Sequence, residues 1–122
     1  MAWQDYKELI VWQKSIDLVM LTYKLVKELP SEERYDLGSQ MRRAAVSVPS
    51  NIAEGKGRMT DREIKHFYLI AQGSNNELET QYIICERLQY LTREQTAPAL
   101  ALCEEISKML AALIIPLRDY TG

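Results

Sequence analysis

Apolar residues recur along this chain at alternating gaps of three and four positions, the spacing of one face of an α-helix. The connections between the periodic segments are short, which favours antiparallel neighbours. We therefore predict an all-α fold, an antiparallel up-down-up-down four-helix bundle in which residues 1–122 form a single domain. The predicted helices are about Tyr6–Leu29, Asp36–Lys56, Asp61–Leu91, and a fourth from near Thr92 to the region of Pro116.

Local residue patterns mark the expected helix ends. Pro98 is best tolerated near a first turn, so the regular part of the fourth helix is expected to begin closer to Thr96. Gly55 and Gly57 are expected to end the second helix in left-handed conformations. Three residue pairs have the spacing of a capping box: Asp5 with Glu8, Thr60 with Glu63, and Thr92 with Gln95.

Pro49 lies near the middle of the predicted second helix. An interior proline removes one backbone hydrogen bond and clashes with the preceding turn, at a cost of roughly 3 kcal/mol. We expect this helix to be kinked at Pro49, with Ala44, Ala45 and Ile52 packing beside it. Gly73, inside the third helix, is expected to permit close approach of a neighbouring helix, with a bend of the helix as the alternative.

The first helix carries more apolar surface than one small bundle requires. A second apolar stripe lies beside its main seam, and excess apolar surface usually marks a protein partner. The sequence therefore predicts a homo-oligomer. The seam contains Leu9, Trp12, Ile16, Val19, Tyr23 and Val26, and the second stripe contains Val11, Leu18, Leu21 and Leu25.

The overall composition is that of a soluble globular protein, with 122 residues, 47% of them apolar and 26% charged. A formal net charge of −2 argues against a strongly basic nucleic-acid-binding protein. Cys85 and Cys103 occupy apolar helix positions and are expected to be buried free thiols. The sequence shows no signal-peptide pattern and no apolar run long enough to span a membrane, so we expect a cytoplasmic protein.

The residues that could support catalysis do not form a recognised constellation. His66 follows Glu63 at the spacing used in di-iron bundles, but those sites need a second such motif and further carboxylates. Residues 55–58, Gly-Lys-Gly-Arg, lack the spacing of a phosphate-binding loop. The cysteines have no Cys-x-x-Cys partner. We predict no enzymatic activity, no catalytic or metal-ligating residue, and no cofactor.

Basic residues are concentrated between positions 42 and 65. Six of them face three acidic residues there, which gives a local net charge of +3 against −5 for the rest of the chain. Such a patch could contact nucleic-acid phosphates. The alternatives for the patch are a solvated face or ion pairs between subunits. Glu54, Glu77 and Glu79 are expected to form ion pairs with Arg42 or Arg43 across helices, and a catalytic carboxylate pair is the alternative for these glutamates. The candidate nucleic-acid-binding residues are Arg42, Arg43, Lys56, Arg58, Arg62 and Lys65.

Several segments together resemble the 23S rRNA intervening-sequence protein family, also called the four-helix bundle proteins. The longest is Leu37-Gly-Ser-Gln-Met-Arg-Arg-Ala-Ala-Val-Ser-Val-Pro-Ser-Asn-Ile-Ala-Glu-Gly-Lys-Gly-Arg58. Shorter ones are Val11-Trp-Gln-Lys14, Phe67-Tyr-Leu-Ile-Ala-Gln-Gly-Ser74 and Glu77-Leu-Glu-Thr-Gln81. The resemblance covers nearly the whole chain.

The resemblance implies an antiparallel four-helix bundle that assembles as a homopentamer. Some members of the family are encoded within insertions in bacterial 23S rRNA genes. The family is also similar to the accessory variability determinant of diversity-generating retroelements, which binds nucleic acid and a reverse transcriptase. The implied partners are therefore further copies of the chain, rRNA or another nucleic acid, and a nucleic-acid enzyme such as a reverse transcriptase. No catalytic residues are implied.

Overall fold

Four long helices dominate the computed structural model, which describes residues 5–118. They are α1 (Ile10–Val26), α3 (Leu37–Lys56), α4 (Asp61–Arg87) and α5 (Arg93–Ile114). A 3₁₀ turn, Tyr6–Glu8, precedes α1, and the one-turn helix α2 (Ser31–Arg34) lies between α1 and α3. No strand occurs within these residues. The all-α prediction and the four-helix count are confirmed.

The four long helices pack side by side around one core. α3 contacts α1 and α4, and α5 contacts α4 and α1, so the pairwise contacts close a ring. α3 continues as a helix through Pro49, which is buried. The largest fully buried apolar side chains are Leu29, which follows α1, and residues from all four helices: Leu18, Val26, Met41, Val48, Ile52, Leu78, Tyr82, Ile106 and Leu110.

The start of the chain differs from the predicted first helix. Asp5 accepts a hydrogen bond from the Lys7 backbone N–H and caps the 3₁₀ turn, and Leu9 has an extended backbone. α1 therefore begins only at Ile10. Its core-facing side is also not the predicted seam. The second stripe, represented by Val11, Leu18 and Leu25, is buried in the core, whereas most of the seam is partly exposed.

The later helix starts follow their capping residues. The Thr60 side chain accepts a hydrogen bond from the Glu63 backbone N–H, and Thr92 and Gln95 form the reciprocal capping box. The box sets the start of α5 at Arg93, so the expectation of a start near Thr96 is wrong. The helix continues through Pro98, one turn further in than the first-turn rule suggests.

The glycines have roles other than those expected. None of the glycines in residues 5–118 has a positive φ, and Gly57 caps α3 with a right-handed backbone. Gly55 is a helical residue packed on Tyr68, where an added Cβ would lie 2.8 Å from two ring carbons. A Cβ at Gly73 would meet nothing within 4 Å. Close helix approach therefore explains Gly55 and does not explain Gly73.

Polar side chains are also buried between the helices. The Thr22 and Tyr82 hydroxyl groups share a hydrogen bond of 2.6 Å, which links α1 to α4. Asn75 donates from Nδ2 to the Cys103 carbonyl oxygen at 2.8 Å, which links α4 to α5. The Oδ1 atom of Asn75 has no hydrogen-bond partner within the described part of the chain.

Gln89, which follows α4, has a left-handed backbone with φ of 62°. The Tyr90 N–H donates to the Cys85 carbonyl at 2.8 Å and the Gln89 N–H donates to the Glu86 carbonyl at 3.0 Å. These two bonds form a Schellman motif, which favours glycine at the position of Gln89.

We expect Gln89→Gly to raise the free energy of unfolding by up to about 1 kcal/mol, because it removes the Cβ strain of the left-handed backbone. Urea unfolding followed by circular dichroism measures this change. Gln40→Gly is the matched control: Gln40 is exposed within α3. Its replacement should lower stability by about 1 kcal/mol, the usual cost of glycine in a helix. A decrease for both variants would contradict the strain argument.

No helix within residues 5–118 is both long enough and apolar enough to cross a membrane.

Candidate nucleic-acid interface

The six basic residues singled out by the sequence divide into two groups in the structure. Arg42 and Arg43 lie in the first half of α3, and Lys56 is its last residue. At 1.5 Å per residue, about 20 Å of helix separates Arg43 from Lys56. Arg58, Arg62 and Lys65 lie beyond it, in the α3–α4 connection and the first turns of α4. The structure therefore does not form one continuous patch from all six.

Arg42 is held in place by contacts within the chain. Its Nη2 atom donates to Ser39 Oγ at 3.0 Å and to the Arg34 carbonyl oxygen at 3.3 Å. Its guanidinium carbon lies 5.9 Å from the centroid of the Tyr23 ring, a cation–π contact between α3 and α1. These contacts orient the Arg42 guanidinium along the boundary between the two helices.

Arg42 and Arg43 line an open groove between α1 and α3 with a volume of about 550 Å³. We call it the α1/α3 groove. Both arginines lack a carboxylate within 4 Å among residues 5–118. The groove is lined by Tyr23, Ser39, Arg42, Arg43, Val46 and Ser47, none of which is acidic.

The predicted ion pairs from Glu54, Glu77 and Glu79 to these arginines are therefore absent from the described residues. Glu54 forms an ion pair with Arg58, one turn further along the chain. The Glu77 carboxylate accepts a hydrogen bond from Gln81 Nε2 at 3.3 Å. Glu79 lines a separate groove between α4 and α5. None of the three carboxylates lines the α1/α3 groove, although Glu77 lines a smaller groove between α3 and α4 that Arg43 also lines.

The second basic group surrounds the connection between α3 and α4. Arg58 pairs with Glu54 and its guanidinium carbon lies 4.7 Å from the Phe67 ring centroid. Arg62 is exposed and Lys56 is partly buried, whereas Lys65 interacts with a neighbouring group. Asp61 accepts a hydrogen bond from the Arg118 backbone N–H at 3.1 Å. At least one basic residue of this group is thus paired with a carboxylate, whereas neither arginine of the α1/α3 groove is so paired within the described chain.

A second, apolar groove adjoins the first at Val46 and has a volume of about 300 Å³. Its lining contains much of the partly exposed seam of α1 together with Pro49 of α3. The periodicity of α1 already indicated an apolar surface outside the core, because two apolar stripes on one helix cannot both face the same core. The lining residues are Tyr6, Trp12, Ile16, Val19, Val46, Pro49, Ser50 and Ala53.

The thiols are buried and remain protonated. Burial raises the pKa of Cys85 to about 11 and that of Cys103 to about 12. A thiol, unlike a thiolate, is a poor nucleophile, so neither side chain is suited to covalent catalysis. His66 is exposed, with its ring centroid 5.0 Å from that of Phe67. Within residues 5–118, no group of three histidine, cysteine or acidic side chains could hold a metal ion.

The fold and the residues that form the grooves can be compared with known proteins. A family model described as "23S rRNA-intervening sequence protein" matches residues 7–112. The chain belongs to this family. The match includes both grooves, since their described lining residues after Tyr6 all fall inside it. The resemblance drawn from the Leu37–Arg58 motif is confirmed.

A solved structure supports both the family and the fold. It is a protein of unknown function from the S23 ribosomal protein family of Bacteroides thetaiotaomicron, with a TM-score of 0.81 and 26% sequence identity. The similarity covers 87% of this chain and 99% of that chain. No curated protein matches the chain. The family is thus one of unknown function, without a known catalytic activity.

Proposed function

We propose that this family member is a non-enzymatic, cytoplasmic, oligomeric protein that binds RNA or DNA, or acts as an accessory to a nucleic-acid enzyme such as a reverse transcriptase. The observation that carries the proposal is the α1/α3 groove, in which Arg42 and Arg43 have no carboxylate partner within the described chain. Unpaired arginines beside an open groove suit phosphate binding. The family description refers to 23S rRNA, which makes an RNA partner the first to test.

We also infer that the whole chain is one up-down-up-down domain, with α3 bent at Pro49. The contacts that support antiparallel packing run in opposite order along neighbouring helices. Gln72 contacts Ser107 and Asn75 contacts Cys103 between α4 and α5. Support for a bend is chemical, because a buried proline within α3 can donate no helical hydrogen bond.

The test is salt-titrated fluorescence anisotropy with labelled fragments of rRNA. Binding should weaken as salt rises, with a slope of log K against log[salt] near −0.7 for each phosphate contact on a single strand. Arg43→Gln should weaken binding and reduce that slope. Arg93→Gln is the control, since Arg93 is 88% exposed and lies at the start of α5, away from the groove. Absence of binding at 50 mM salt would reject direct nucleic-acid binding.

The second candidate is a protein-interaction module, in which the grooves bind protein and not nucleic acid. The apolar groove favours it, as do the exposed side chains of Met20 on α1 and Leu69 on α4, at 67% and 49%. A homo-oligomer would cover such surfaces, and the expected number of five copies comes from the family resemblance. Light scattering at micromolar concentration tests self-association, and a monomer would contradict it.

One double variant separates the two candidates. Replacing Arg42 and Arg43 together with glutamate should abolish RNA binding while leaving the oligomer intact if the groove contacts phosphate. Dissociation of the oligomer without loss of any RNA signal supports the interaction module. Circular dichroism of the variant checks that the helices remain folded, because Arg42 also contacts Ser39.

A further inference from the structure

The α1/α3 groove has an aromatic wall as well as a basic one. Tyr23 projects from α1 into the groove lining and remains 44% exposed. The Arg42 guanidinium lies 5.9 Å from its ring centroid. An exposed aromatic ring beside arginine is the pairing on which single-stranded nucleic acids stack their bases. A site that bound only phosphates would not require an aromatic ring, because phosphate binding is electrostatic.

Further positive charge lies near the Tyr23 ring. Lys27 is exposed and lies four residues after Tyr23, which places it on the same face at the end of α1. Arg43 stands on the opposite wall, on α3, with no ion-pair partner in the described chain. Arg43 therefore faces the Tyr23 ring from α3, and Lys27 lies one helical turn beyond the ring along α1, outside the lining of the groove.

The strand state of the ligand follows from this arrangement. Bases in a duplex are stacked on one another, so their faces are closed to a protein side chain, whereas an unpaired strand can turn a base onto an aromatic ring. A groove of about 550 Å³ is within the range that holds a small ligand such as a single nucleotide. A duplex could contact the arginines of the groove through its phosphates, but its paired bases could not stack on Tyr23.

We propose that the α1/α3 groove is a binding site for single-stranded nucleic acid, in which one base stacks on Tyr23 and the flanking phosphates contact Arg43 and Lys27. The inference rests on the proposed nucleic-acid function and deepens it by naming the strand state and the stacking residue. Arg42 lies beside the ring, where its contacts with Tyr23 and Ser39 fix the position of its guanidinium.

The experiment compares a labelled ten-nucleotide oligouridine with a labelled RNA duplex of ten base pairs, by fluorescence anisotropy at several salt concentrations. The wild-type protein should bind the single strand more tightly. Tyr23→Ala should weaken single-strand binding about tenfold, the size of one lost base–aromatic stack, with little change for the duplex. Tyr23→Phe should retain binding, because the ring remains. For the single strand, Arg43→Gln should make the slope of log K against log[salt] less negative by about 0.7.

Two control variants keep the result interpretable. Tyr35→Ala removes a tyrosine that is 86% exposed and outside the groove, and Arg93→Gln removes a distant arginine. Neither should change binding. Thermal unfolding and light scattering of every variant exclude loss of the fold or of the oligomer as the cause.

The outcomes separate this inference from the broader proposal. If single strands bind but Tyr23→Ala has no effect, or if the duplex binds equally well, the stacking site is wrong and nucleic-acid binding stands. If neither probe binds the wild-type protein at low salt, both fail. If Tyr23→Ala dissociates the oligomer and leaves RNA binding unchanged, the groove is a protein interface and the inference is overturned.

Discussion

Replacing Tyr82 with alanine is expected to lower the free energy of unfolding by about 3–5 kcal/mol, the usual range for removing a buried aromatic side chain. Tyr82 lies in α4, its side chain is completely buried, and its hydroxyl shares the 2.6 Å hydrogen bond with Thr22 of α1. Burial raises the pKa of the Tyr82 phenol, so the group stays neutral. The loss is a large fraction of the 5–15 kcal/mol that stabilises a typical domain.

Urea unfolding followed by circular dichroism measures the loss as a shift of the midpoint at unchanged slope. Tyr35→Ala, at a position 86% exposed, should change stability by no more than about 0.5 kcal/mol. A change below about 1 kcal/mol for Tyr82→Ala would contradict the burial on which the prediction rests.

A double-mutant cycle isolates the hydrogen bond from the volume of the ring. Tyr82→Phe keeps the ring but leaves the Thr22 hydroxyl buried without its partner, and should cost about 1–3 kcal/mol. Adding Thr22→Val removes both polar groups and should recover part of that loss. If the two single effects simply add, the hydroxyl groups do not form the bond that joins α1 to α4.

The local signals in the sequence predicted local structure well. Four long helices follow from apolar periodicity, and α4 and α5 begin where Thr60 and Thr92 can cap them. A cap needs only residues within one turn, so its physics is contained in a few adjacent positions. The Leu37–Arg58 motif likewise identified the family, because its residues are contiguous in the chain.

Features that depend on distant partners were harder to predict. Thr22 and Tyr82 are 60 positions apart, and nothing near either one indicates that they share a buried hydrogen bond. The two apolar stripes of α1 are both periodic, so the choice between Leu18 and Ile16 for the core depends on where α4 and α5 lie. The burial of Leu18 is thus a property of the assembled bundle.

The candidate site likewise combines features that adjacent residues reveal with features that depend on distant partners. Proximity in sequence suggested one basic cluster from Arg42 to Lys65. An α-helix rises 1.5 Å per residue, however, so the two ends of this segment are separated in space. Conversely, Tyr23 is distant in sequence from Arg42 and adjacent in space. The charge count was available from the sequence, whereas the groove that pairs an aromatic ring with unpaired arginines required the packing of α1 on α3.

Gly55→Ala is expected to destabilise the protein by about 1–3 kcal/mol relative to Gly73→Ala. Both glycines are helical, and alanine gains at most about 1 kcal/mol in helix propensity: the full amount at Gly73 in the interior of α4, and less at Gly55, the penultimate residue of α3. At Gly55, the new methyl group would lie 2.8 Å from two ring carbons of Tyr68 and 3.1 Å from Phe67 Cβ. Overpacking of this kind costs about 1–3 kcal/mol, because the ring and the helix backbone must move apart.

The pair of variants serves as its own control, since unfolded-state effects of a glycine-to-alanine change cancel in the comparison. Urea midpoints of the two proteins measure the difference directly. Gly73→Ala alone should be stabilising, because nothing in the described chain lies within 4 Å of the added Cβ. If Gly73→Ala instead destabilises the protein and weakens its oligomer, that exposed face of α4 lies against a second copy, and close helix approach accounts for Gly73 between subunits.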